Sequence, residues 1–266
     1  MTMTGLDALT PQAVAPDYRS PYALAFETPT EARLAGFDTW PWNDPAAQAS
    51  IPDTDWYSRS TRTRWGNWGP TQRRYPAPAA ALDAETARER VLAVAGALIG
   101  LDYQHHHVPA WHPPADWPWK EVRSGRRGPG LDCSNFTGFA YAYALGLHFS
   151  TDVAKQAQTH LLPPGDPHAV PGIRVIRGDY DTLVAQLKPA DIVFIASKSG
   201  EIVHAVLWLG RCGTGPTPTP LILDCGGPGR ADADRVGIPA GVRIRPYRRV
   251  GWYAQATAHA YRVIPD

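Results

Sequence analysis

Asp191-Ile192-Val193-Phe194-Ile195-Ala196, Ile202-Val203-His204-Ala205-Val206-Leu207-Trp208-Leu209, Leu221-Ile222-Leu223-Asp224 and Gly241-Val242-Arg243-Ile244-Arg245 follow one another along the chain, with turn residues separating all four. Each is a short run dominated by apolar, largely β-branched residues, which reads as a strand. Upstream of them the apolar period is helical. Asp83 is placed to cap a helix whose face is Val91, Leu92, Val94, Ala95, Leu98 and Ile99, closed by Gly100. Phe136, Phe139, Ala140, Tyr143 and Ala144 repeat the spacing and stop at Gly146, so Cys133 lies at or just before a helix start. Helices first and consecutive strands afterwards imply an α+β domain, with helices packed on a central antiparallel sheet.

Working outward, residues 102–130 form a polar and aromatic loop that ends in Gly125, Gly128, Pro129 and Gly130 and delivers the chain to Cys133. Residues 1–82 show no sustained period and run in bursts such as Trp40-Pro41-Trp42 and Arg64-Trp65-Gly66-Asn67-Trp68-Gly69-Pro70. Their aromatic content exceeds that of a solvating tail, so an irregular Pro/Trp-rich arm packed on the body is expected at 1–82, and the main domain at 83–266.

Lys and Arg total 26 against 25 Asp and Glu, which leaves no bulk charge to recruit nucleic acid. No apolar run approaches the roughly 20 residues that cross a bilayer, so no integral membrane segment is expected. The 27 prolines, 24 glycines and 10 tryptophans favour extended, turn-rich segments pinned by aromatic anchors. Three cysteines are too few for a disulfide scaffold and lack zinc spacing. Cys212 and Cys225 bracket the loop 213–220 and either pair across a hairpin or remain free thiols.

Cys133 has the setting for chemistry. A thiol attacks as thiolate, and a helix start and a nearby imidazole both lower its pKa. His204, in mid-strand among apolar neighbours, is held rigidly enough to serve as its base. Its side chain is then expected to face Cys133 from the sheet, with sulfur and ring nitrogen within about 4 Å. Asp224, ending the next strand, is the candidate to orient the imidazole through its other nitrogen. Each residue taken alone fits a plain structural role equally well: a buried small hydrophobe, a core histidine, a turn opener before Gly226-Gly227. It is their order and their elements that point to a site.

Asp132-Cys133-Ser134-Asn135-Phe136, Leu187-Lys188-Pro189-Ala190-Asp191-Ile192-Val193-Phe194 and Ile202-Val203-His204-Ala205-Val206 resemble the successive motifs of the NlpC-type cell-wall peptidases. The likeness spans roughly residues 86–264. It implies a papain-like fold and cleavage of amide bonds in peptidoglycan stem peptides, without a cofactor, by a protein exported or delivered to a cell envelope. By that resemblance Cys133 is the nucleophile, His204 the base and Asp224 the third polar residue, while Tyr103 helps build the site near the oxyanion. The chain departs from the pattern in having Asn135 where glycine usually follows Cys-Ser, and in the length of the insertion between Tyr103 and Cys133.

That insertion holds His105, His106, His107, Trp111, His112, Trp117 and Trp119. Consecutive loop histidines seldom converge on one ion, and no thiol or carboxylate at ligand spacing completes a set, so no metal is expected. A substrate-lining or loop-packing role is expected for the stretch; His106, Trp111 and Trp119, with Asp132 and Ser134, are the residues expected to line the substrate site, the indoles offering flat faces to a sugar or peptide. Two further functions remain open to the same residues: a deamidase or acyl-transfer enzyme on a protein or lipid amide, and a binding module without catalysis.

Overall fold

The computed structural model describes residues 18–37, 55–56, 58–108, 130–227 and 237–266. In chain order the elements are β1 (Ala23–Leu24), α1 (Thr30–Arg33), α2 (Arg59–Trp65), α3 (Ala84–Gly96), β2 (Asp102–Tyr103), β3 (Gly130–Leu131), α4 (Cys133–Leu145), α5 (Val153–Gln156), β4 (Arg174–Ile176), α6 (Tyr180–Gln186), β5 (Ile192–Ala196), β6 (Ile202–Trp208), β7 (Gly213–Thr214), β8 (Leu221–Gly226), β9 (Gly241–Pro246), α7 (Trp252–Gln255) and β10 (Thr257–Arg262). The fold is α+β, built on a six-stranded antiparallel sheet in the order β4-β10-β5-β6-β8-β9. No helix among the described residues is long and apolar enough to cross a membrane.

Helix α3 starts where Asp83 Oδ1 accepts the Thr86 N–H at 2.8 Å, and it buries Val91, Leu92, Val94 and Ala95 completely. Helix α4 is capped by Asp132 and ends at Gly146, whose φ of 69° is the left-handed conformation that closes a helix. A side chain there would also collide with the arm, since a Cβ would stand 2.6 Å from the Ala77 nitrogen. Both helices pack on one face of the sheet. Phe136 and Phe139 of α4 join Ile192, Phe194, Ala205, Leu207 and Leu223 in one core, and each buried phenylalanine contributes roughly 1.5–3 kcal/mol. Strand alternation sends Val193, Ile195, Val206, Trp208 and Ile222 to the other face, into a second core with Tyr247 and Tyr253.

The arm is less irregular than its sequence pattern. Ser58 Oγ accepts the Thr61 N–H at 3.1 Å and starts the seven-residue helix α2, too short and too arginine-rich to show an apolar period. Buried Glu89 of α3 accepts the backbone N–H groups of Glu27 and Thr28 at 3.0 and 2.9 Å, and β1 pairs with β7. Nearer α4, Gln72 donates to the Asn135 carbonyl at 3.2 Å. All three cysteines are free thiols, so Cys212 and Cys225 do not pair.

Candidate active site

Strands β6 and β8 fork. Their ladder is confined to Leu207 with Leu223 and Trp208 with Ile222, whereas β8 stays zipped to β9 from Leu221 to Gly226. Toward His204 the strands therefore separate. The Ala205 N–H is left to meet a side chain, and the Cys133 thiol accepts from it and from the N–H of Ser134.

Cys133 is the first residue of α4 and is 5 % exposed. Asp132 Oδ1 accepts the Asn135 N–H at 2.9 Å and Asn135 Nδ2 at 3.0 Å, which fixes the helix start beneath the thiol. The low thiol pKa expected from a helix start is not what this setting gives. Burial, then the Asp132 and Asp224 carboxylates, push the thiol well above its ordinary value, against the two N–H donors. The setting favours the thiol over the thiolate.

His204 is buried on β6, and its Nε2 donates to Asp224 Oδ1 at 2.6 Å. An ionised carboxylate only accepts, so the proton of this bond belongs to Nε2, and Nδ1 carries no hydrogen bond among the described residues. By alternation His204 lies with Val206 and Trp208 on the face away from α4, which departs from the expectation that its side chain faces Cys133 from the sheet. No hydrogen bond joins the sulfur to the ring.

Asp224 is wholly buried, which alone would raise its carboxyl; the His204 imidazole, the Arg245 guanidinium and the Tyr253 hydroxyl together hold it down at about 2. Tyr253 Oη donates to Asp224 Oδ2, and Arg245 Nε stands 2.9 Å from the same oxygen. The Arg245 N–H is not directed at the carboxylate, so this guanidinium contributes charge more than a directional bond. Sequence reading missed both partners. The one visible signal was an arginine alternating with apolar residues inside a strand.

The remaining expected residues divide. Tyr103 lies on β2, whose parallel pairing with β3 places it opposite Leu131, two residues before the thiol. Gly130 permits that pairing, because a Cβ there would come within 2.4 Å of Gln104 Cγ and 2.6 Å of the Asp102 carbonyl. His106 is a correction: it is completely buried and, chiefly by desolvation, its pKa falls to about 3, so it is an internal neutral ring and no surface for substrate. His105 takes the accessible position, edge-on to Tyr103 at 5.1 Å, tilted against Trp68 at 5.2 Å, and 3.8 Å from Asp132 Oδ2. Ser134 is buried with its hydroxyl given to the Thr151 carbonyl at 2.6 Å, and Asp132 is the helix cap; both serve the helix start. Trp111 and Trp119 lie outside the described residues. Among the described residues no cluster of histidine, cysteine, aspartate and glutamate is arranged to hold a metal ion. No family model and no curated protein sequence matches the chain.

Proposed function

We propose that the chain is a papain-like cysteine hydrolase of amide bonds, with Cys133 as nucleophile, His204 as base and Asp224 as the orienting carboxylate. The observation that carries this reading is the His204–Asp224 bond, which spends Nε2 and leaves Nδ1 uncommitted at the fork where the thiol sits. In the reaction the thiol proton passes to Nδ1 as sulfur attacks the carbonyl carbon. The Cys133 backbone N–H, at the first position of α4 where a helix offers no intrahelical acceptor, is the donor this reading assigns to the developing oxyanion. The imidazolium then protonates the leaving nitrogen as the C–N bond breaks; water attacks the thioester with His204 again taking the proton, and the C–S bond breaks as that proton returns to the Cys133 sulfur, releasing the carboxylic acid. Substrate binding has to draw the sulfur and Nδ1 together, a tightening common in such sites.

The substrate class follows from the three-motif resemblance to cell-wall peptidases: peptidoglycan stem peptides. Incubating purified sacculi with the protein and identifying released muropeptides by mass spectrometry tests it. New amine and carboxyl ends in the stem are expected; intact sacculi would overturn the substrate. Trp252, 40 % exposed, stands with its ring 5.7 Å from the His204 imidazole and offers apolar surface beside it. This favours a second substrate reading, a protein or lipid amide with an apolar group on the leaving side, which the same chemistry would deamidate or transfer.

A further inference from the structure

A buried carboxylate is a poor orienting group if it is free to turn. The terminal torsion of aspartate is broad and roughly two-fold, so a carboxylate held by one bond can offer either oxygen and swing the imidazole with it. Asp224 is held on both. Oδ1 takes His204, and Oδ2 takes the Tyr253 hydroxyl beside the Arg245 guanidinium.

The two holders come from different elements, and each is anchored elsewhere. Arg245 lies on β9, diagonally across the ladder from Asp224, and its Nη2 donates to the Pro239 carbonyl at 2.7 Å. Tyr253 lies on α7, with its own carbonyl accepting the Thr257 hydroxyl at 2.7 Å. Its ring and that of Trp252 stand 6.2 and 5.7 Å from the imidazole. The phenol thus holds the carboxylate plane and the guanidinium sets its charge beside Oδ2, while the same two-residue stretch of α7 flanks the imidazole.

We propose that Tyr253 and Arg245 are positioning residues of the reaction: by occupying Oδ2 they present Oδ1 alone to His204 and so hold Nδ1 at the fork. The inference rests on the proposed function for the identity of the reaction, but the geometry it asserts is measurable without substrate. Tyr253→Phe removes one hydroxyl and keeps the ring, so it separates positioning from packing. Arg245→Lys retains the charge that Arg245→Gln deletes.

The test uses the full chain and two readouts. Proton NMR of the resting protein reads the low-field resonance of the His204 Nε2–H held against Asp224. Steady-state kinetics on a substrate found in the sacculus experiment reads kcat and KM separately. In the folded Tyr253→Phe protein the resonance should move upfield or broaden into solvent exchange. Its kcat should fall roughly tenfold with KM little changed, the size expected for losing one hydrogen bond to a charged group. Arg245→Gln should lose more, and Arg245→Lys should recover part of that loss. A folded Tyr253→Phe protein with an unshifted resonance and an unchanged kcat would overturn the proposal. If the parent protein cleaves nothing, the proposed function falls, and the resonance still decides whether Tyr253 fixes the dyad.

Discussion

Asp224 and Asp191 are both buried aspartates next to arginine, in opposite halves of one sheet, and they are used differently. Asp191 accepts Arg262 Nη2 and the Lys188 N–H, each at 2.9 Å, with Arg88 Nη1 at 3.5 Å. Its charged partners are permanent cations, tied in turn to carbonyls and to Asp266. Burial still keeps its carboxyl above the ordinary value, whereas Asp224 is held at about 2. The Asp191 network is closed and ties β10 and α3 to the start of β5. The Asp224 network ends in an imidazole with one nitrogen uncommitted. A closed buried network stabilises the fold, and an open one is where a proton can be moved.

The largest effect should come at the open end. Cys133→Ala is expected to abolish turnover while leaving the urea midpoint close to the parent's. Cys212→Ala should keep activity, since that buried thiol lies away from the fork against Glu89 and is pushed up to about 12. Hydrolysis by the Cys133 variant of any substrate the parent cleaves would end the cysteine-nucleophile reading.

The closed network should respond in stability instead. Asp191→Ala leaves Arg88 and Arg262 buried without their carboxylate, a loss of about 3–5 kcal/mol that consumes much of a typical domain's margin. Equilibrium urea unfolding measures it, and a change below about 1 kcal/mol would show that the network is not closed in the sense described here.

Asp224 stands between these extremes. Asp224→Asn keeps an acceptor for His204 and should retain appreciable activity, while Asp224→Ala should lose roughly a further tenfold in kcat without a matching loss of folded protein. The charge also has a pH signature. The folded carboxyl titrates near 2 and the unfolded one near 3.8, so between those values the unfolded chain binds more protons and stability falls as pH falls. About 2 kcal/mol should be lost across that window in the parent and not in Asp224→Asn, read as the difference between their acid unfolding curves. Parallel curves would mean that folding does not lower the Asp224 carboxyl.

Four of the six main strands and both long helices were legible because their apolar periods are strong. The strands β4 and β10 were not. Thr257-Ala258-His259-Ala260-Tyr261-Arg262 has two alanines and no aliphatic β-branched residue, yet β10 lies inside the sheet between β4 and β5. Its polar members find partners that no local pattern reveals: Arg262 on Asp191, and His259 Nε2 against the Ala157 carbonyl at 3.2 Å. The site shows the same boundary. The pairing of His204 with Asp224 was readable from strand order and the helix start at Cys133 from its apolar period, whereas Arg245 and Tyr253 reach Asp224 only through tertiary packing, and a histidine run gives no sign of which ring, here His106, turns inward.

The smallest expected effect lies beside Asp191 and bears on how tightly that closed network is built. Ala190 is the only non-glycine with positive φ among the described residues, at 70°, a conformation that costs a residue with a Cβ roughly 1–2 kcal/mol. Its nitrogen donates to the Trp208 carbonyl at 2.8 Å and its carbonyl accepts the Tyr141 hydroxyl at 2.7 Å, so the turn is held from both sides and the strain is carried. Glycine would relieve the strain. It would also give the unfolded chain about 0.4–1 kcal/mol more entropy to lose and remove a fully buried methyl contributing roughly 0.8 kcal/mol. These terms nearly cancel, so Ala190→Gly should change unfolding free energy by less than about 0.5 kcal/mol and leave kcat untouched. Stabilisation beyond about 1 kcal/mol would mean that the methyl packs poorly and strain dominates, whereas destabilisation of that size would mean that the methyl is part of what closes the network around Asp191.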